Sequence, residues 1–363
     1  MSPNRPCWAV LTPASPGCPS CTRSRQTVAA NQSAIVNWSQ YLALRGVAGL
    51  IQCFDPETNL STASTVGTMF YKLNRRRRER AERNIALSFP DWPIERVHDT
   101  ALRSMQHMFQ LFMVESLMAP RLVSPSTWTR YIRLGDIHDL MHMLVRHEPA
   151  IFVTGHCGNW EMLGIAMAAI GYPLVALARP LDNPLINRWL LDIRESRGMR
   201  IITKWGATPI LQETLNDGGR VAFIADQNAG EQGLFVPFFG RLASSYKSIG
   251  LLAMRHNVPI IAGHAKRLGQ AFEYKMYSSD VIKPGDWVDQ PDPLFYITAR
   301  FNRAIEQMVR EAPEQYLWLH RRWKSRPRHE REGQPMPGRL IEKLEQLPWM
   351  TQEELNRIVE YRE

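Results

Sequence analysis

From position 150 onward, short apolar runs alternate with longer stretches of mixed apolar and polar positions. The runs "AIFVTG" (150–155), "PLVALAR" (173–179), "MRIIT" (199–203), "RVAFIADQ" (220–227) and "VPIIAGHAKR" (258–267) have strand length and are bounded by turn residues. Helical stretches are predicted between them, near 159–170, 184–197, 207–216 and 248–256. Apolar strands that alternate with helices predict an α/β fold with a mostly parallel central sheet flanked by helices. "AFEYKMYSS" (271–279) adds an edge strand, and 293–313 reads as a late amphipathic helix. Ahead of this region the pattern is helical, with an apolar stretch over 34–54 that carries Arg45 and a further helix from 93 to about 118. The predicted organisation is a disordered tail (1–30), an N-terminal helical, membrane-associating region (31–120), the α/β domain (121–330) and a C-terminal helical extension (331–363).

Composition narrows the partners. The chain has 363 residues, of which 44% are hydrophobic, enough for a substantial core. A net charge of +9 favours anionic partners. Arg75, Arg76, Arg77, Arg78, Arg80 and Arg83 crowd together after an amphipathic stretch, where anionic lipid attracts each positive charge by about 1 kcal/mol. The motifs of a nucleic-acid binder, basic residues interleaved with aromatic ones, are missing. Cys18 and Cys21 form a CxxC without a second pair, and His138 and His142 share a helix face without a third ligand, so no metal is expected. There is no run of apolar residues long enough to span a bilayer and no signal-peptide pattern, so the expectation is a protein made and kept in the cytoplasm. G-x-S-x-G, Walker A, G-x-G-x-x-G and H-E-x-x-H are all absent.

The candidate chemistry lies in "TGHCGNWEMLG". His156 follows a predicted strand, and Glu161 falls in the first turn of the helix after it, at the kind of strand-to-helix turn where α/β sheets bind ligands. On one regular helix the two side chains would point apart; with His156 in a turn the chain can fold back and pair them. Gly158 supplies a residue that tolerates unusual backbone angles. The pair then reads as a general base and its orienting carboxylate. His156 takes the proton of an acceptor hydroxyl, which attacks an acyl carbonyl. Backbone N–H groups of the Gly158–Asn159 turn, or a nearby arginine, hold the oxyanion. The same pair can activate water, so an esterase or thioesterase is the alternative. Cys157, next to the histidine, reads as a buried small hydrophobe in preference to a nucleophile.

His156-Cys157-Gly158-Asn159-Trp160-Glu161 resembles the H-x-x-x-x-[DE] signature of the bacterial lipid A secondary (lauroyl/myristoyl) acyltransferases, part of the wider glycerolipid acyltransferase superfamily. "RNIALSFPDW", "ARPLDNPLIN", "VAFIADQN", "GLFVPFFGRLASS" and "QYLWLHRRWKSRP" are similar to further blocks of that family, in the same order, and the likeness covers about 34–330. The resemblance implies fatty acyl transfer from acyl carrier protein or CoA, with no cofactor, to a hydroxyl of a glycolipid at the cytoplasmic face of the inner membrane. It makes His156 the base and Glu161 its partner. Arg179 and Asn183 would line the acceptor side, with Asp226 and Gln227 facing the same cleft. Phe238 and Phe239 are expected as core aromatics. Expected partners are anionic membrane lipid, the glycolipid acceptor and acyl carrier protein; an acceptor of the phosphatidylinositol mannoside kind is the nearest alternative. Many family members begin with a clear membrane-spanning helix. Here that stretch is weak and holds Arg45, which implies peripheral attachment.

Overall fold

A computed structural model describes residues 34–361, except Arg197 and Lys204. The predicted tail at 1–30, with its CxxC, lies outside the described residues.

The strands are β1 (Ile132–Leu134), β2 (Ala150–Thr154), β3 (Val175–Ala178), β4 (Arg200–Thr203), β5 (Arg220–Ile224), β6 (Leu234–Phe238), β7 (Arg241–Ser245), β8 (Ile260–Arg267) and β9 (Tyr274–Ile282). Seven of them form one sheet in the order β1-β9-β8-β2-β5-β3-β4. Every pairing in it is parallel except β8 with β9. The mostly parallel α/β sheet is therefore as expected, and each of the five apolar runs supplies a strand. The stretch expected at the edge is not there: β1 pairs outside β9. Only three residues long, β1 leaves too short a pattern to read.

β2 is central and buried along its whole length, as a parallel strand covered on both faces must be. Its side chains alternate between two cores. Ile151 and Val153 pack on one side with residues of α3 (Arg75–Ser88), α4 (Ile94–Gln110) and the long helix Pro293–Glu311. Ala150 and Phe152 pack on the other side with residues of α5 (Ser116–Leu122), α6 (His138–Val145) and α7 (Trp160–Ala169). The N-terminal helices thus share a core with the sheet. α1 (Ala34–Ile51) lies along the helix Pro184–Glu195, with Tyr41 edge-on to Trp189 and Arg45 over the same ring. α2 (Pro56–Leu73) is capped by Asp55, whose carboxylate accepts from Thr58 N. α4 ends in a π turn, Leu111–Glu115, in place of the single continuous helix predicted from 93 to about 118.

The hairpin β6–β7 was legible only as a sequence block. Its two-residue loop places Phe239 (φ +55°) and Gly240 (φ +64°) in the left-handed region, the geometry that suits tight hairpins. Phe239 holds that conformation because its N–H donates to Glu306 at 2.6 Å and its ring sits against Phe89, Phe238 and Trp318. Phe238 and Phe239 are buried, as expected of core aromatics.

Candidate active site

The register of the two central strands builds the site. Thr154, the last residue of β2, pairs with Ile224, the last residue of β5, and the ladder continues from Ala225 N to Thr154 O at 2.8 Å. Two residues past each end stand His156 and Asp226. In-register parallel strands bring these side chains side by side at their carboxyl ends, where open α/β sheets bind ligands. His156 Nδ1 lies 2.7 Å from Asp226 Oδ1, and the His156 backbone N–H donates to Asp226 Oδ2 at 2.9 Å. Burial pushes the Asp226 carboxyl up; the charge and hydrogen bonds of His156 outweigh it and hold the group well below the usual carboxylate range.

The ring's carboxylate is therefore Asp226, whereas Glu161 was expected. Glu161 lies in the first turn of α7 and forms a bidentate pair with Arg194, Arg194 Nε donating to Glu161 Oε2 at 2.9 Å. A guanidinium is available to satisfy Glu161, while the strand register already provides the imidazole with an acid.

The turn between β2 and α7 is tightly held. Gly158 adopts φ +60° and lies so close to β8 that a Cβ would sit 2.3 Å from Ala265 O. Its N–H donates to Gln315 O, and the N–H of Asn159 donates to Ala265 O at 2.8 Å. The backbone donors of Gly158 and Asn159 are thus committed inside the protein and are not oxyanion donors. Asn159 instead caps α7, accepting from Met162 N at 2.7 Å, and donates to the buried Glu115 at 2.7 Å. Glu115 ends the π turn, and Arg267 Nε lies 3.4 Å from its other oxygen. His107 Nε2 contacts Gly158 O at 3.1 Å. Glu115, Arg267 and His107 were missed in the sequence because each is remote from the turn in the chain and marked by no motif.

The remaining candidates separate. Gln227 reaches the imidazole, with Nε2 3.4 Å from His156 Nε2. Arg179 is exposed just past β3, the neighbour of β5. Asn183 is engaged within the protein: its carbonyl caps the helix Pro184–Glu195, and its amide donates to Asn37 O and Gln40 Oε1 of α1. Cys157 is buried, and burial, then the Asp226 charge, pushes its thiol far up, so it is an inert core residue.

Two aromatic rings flank the imidazole. Trp160 stands edge-on at 4.9 Å between ring centroids, with Phe112 behind it. On another side His320 lies at 4.5 Å, tilted by 38°. It belongs to the "WLHRRW" segment, which is fastened to the turn by Leu317 N to His156 O at 3.0 Å.

The fold and site define an α/β enzyme with a buried imidazole–carboxylate pair at the carboxyl ends of adjacent parallel strands. The chain belongs to the bacterial lipid A biosynthesis acyltransferase family, whose model matches residues 29–325, and it is an acyltransferase. It is 26% identical over 270 residues to a lipid A biosynthesis acyltransferase of Haemophilus influenzae, covering 70% of this chain and 80% of that protein. It is 25% identical over 276 residues to the lipid A biosynthesis lauroyltransferase of Escherichia coli, covering 74% and 85%. The Escherichia coli lipid A biosynthesis myristoyltransferase is 24% identical over 304 residues, covering 80% and 88%.

Proposed function

We propose that the protein transfers a fatty acyl chain from an acyl thioester, of acyl carrier protein or CoA, to a hydroxyl of a lipid A precursor, with His156 as general base and Asp226 as its partner. The 2.7 Å contact between His156 Nδ1 and Asp226 carries this reading. A carboxylate on Nδ1 fixes the tautomer, so that Nε2 is the free base, and stabilises the imidazolium once formed. Nε2 takes the acceptor's proton as its oxygen bonds to the thioester carbon, and the carbonyl electrons move onto oxygen. The tetrahedral species collapses, the C–S bond breaks, and the departing thiolate takes the proton back from His156. Gln227, exposed beside Nε2, marks where the acceptor hydroxyl enters. Arg179, exposed just past β3, supplies a positive charge for the phosphorylated acceptor.

Attachment to the bilayer is peripheral, through α1. Among the described residues no helix is long and apolar enough to cross a membrane. α1 nevertheless exposes Ile35 (81%), Trp38 (52%), Leu42 (60%) and Leu50 (62%), while the face bearing Tyr41 and Arg45 packs on Trp189.

Mass spectrometry of the products from an acyl carrier protein thioester and a lipid A precursor tests the reaction. His156→Ala should abolish transfer, and Asp226→Asn should lower kcat by about 10²- to 10⁴-fold. Both should keep the native circular dichroism, with a lower denaturant midpoint for His156→Ala because the buried Asp226 carboxylate loses its partner. A well-folded, active His156→Ala variant would remove the base; free fatty acid without acylated lipid would make the enzyme a thioesterase.

A further inference from the structure

We propose that His320 is a second catalytic residue, donating a ring N–H to the carbonyl oxygen of the acyl group as negative charge develops on it. The inference rests on the acyl-transfer reading above, because it needs an oxyanion to bind.

Position comes first. The His320 ring centroid is 4.5 Å from that of His156. An acceptor oxygen hydrogen-bonded to His156 Nε2 attacks a carbon about 3–3.5 Å further on, which leaves the carbonyl oxygen within reach of the neighbouring ring. The segment that carries His320 is rigid. Gly158 N donates to Gln315 O, Leu317 N to His156 O, and the His320 backbone N–H to Leu317 O. Asn84 Nδ2 of α3 donates to the carbonyls of both Trp318 and His320, at 2.8 and 3.2 Å. Arg322, fully buried, donates to Ser245 Oγ, Asn302 Oδ1 and Gln227 O. Residues on both sides of His320 are thus anchored, one set to the base's own turn and the other to the strand-end loop that carries Asp226.

Availability comes next. The ring nitrogens of His320 have no hydrogen-bond partner among the described residues, whereas the backbone donors of Gly158 and Asn159 are occupied. Burial, then the neighbouring His156, pushes the His320 imidazole down to about 4, so it is neutral at working pH. A neutral imidazole keeps one N–H and can polarise a carbonyl without contributing a second proton to the transfer. A cation there would compete with the imidazolium that His156 becomes.

The test compares two substitutions of similar size, His320→Gln, which keeps an N–H donor, and His320→Met, which has none. The assay takes saturated acyl carrier protein thioesters, using the one the wild type consumes fastest, and a lipid A precursor. The Met variant should lose about 10²- to 10³-fold in kcat with KM little changed, the mark of a bond made only in the transition state. The Gln variant should recover at least tenfold of that loss, and neither should move the acid limb of the kcat/KM profile. Equal losses in both variants, a kcat for Met within about threefold of wild type, or a displaced acid limb would each overturn the proposal. His156→Ala is measured alongside. If that variant is active, the underlying reading falls; if it is inactive while the Met variant behaves as wild type, only the role of His320 falls.

Discussion

At the scale of single residues, Gly158 is the tightest point of the site. Its φ of +60° and the 2.3 Å approach of Ala265 O to a notional Cβ leave no space for a methyl group, because the obstacle is backbone. Gly158→Ala should destabilise the protein by about 2 kcal/mol or more and displace His156, seen as a lower urea midpoint and a drop in transfer. An alanine variant with unchanged midpoint and activity would contradict the geometry. The glycine, the histidine and the helix start were legible because they interrupt a local pattern. The histidine's partner was not. Glu161 is five residues away in sequence, Asp226 seventy, and only strand adjacency decides between them. His320 stood inside a recognised block with nothing local to distinguish it from its neighbours. The amide of Asn183, read as a ligand for substrate, was equally consistent with the helix cap that it forms.

At the scale of elements, apolar runs long enough to cross the core showed through, as did the helices between them. β1 did not, and neither did the hairpin, where Pro237 and the Phe239–Gly240 turn break the alternation. Order within the sheet is a non-local choice among strands of similar composition, so β9 could be found but not placed. α1 illustrates how a helix can satisfy two surroundings. Its polar and aromatic side is occupied by Trp189 and Asn183, which leaves Ile35, Trp38, Leu42 and Leu50 facing outward. Replacing Ile35, Trp38 and Leu42 together by serine should release the protein from anionic phospholipid vesicles in a flotation assay, at little cost to the fold since these side chains are exposed. Unchanged flotation would shift attachment to another surface. The arginines of α3 supply an electrostatic share that added salt should weaken.

At the scale of the whole molecule, acid stability follows from imidazoles the fold keeps neutral. Burial, then Arg267, pushes His107 down to about 3; burial, then Lys266, does the same to His264. In the unfolded chain both return to near 6.5. Between those values the unfolded state binds protons that the folded state does not, so stability is complete above about pH 6.5 and falls as the pH drops towards 3. The loss is up to about 1.4 kcal/mol per pH unit for each histidine. Urea midpoints should therefore fall between about pH 7 and pH 5, before carboxylates protonate; a flat profile would show that these rings are hydrated or charged in the native protein. The parallel sheet as a class was readable from the alternation of apolar runs with helices, while its two polar interiors, around Glu115 and around Arg322, were not.

The pairing of Thr154 with Ile224 reaches beyond the placing of two side chains. Because base and acid hang from the middle of the sheet, they cannot be pulled apart without opening the most deeply covered part of the molecule. An enzyme built this way has little scope for being throttled at its proton-transfer groups. Whatever governs its output in the cell has to act on which molecules reach the imidazole.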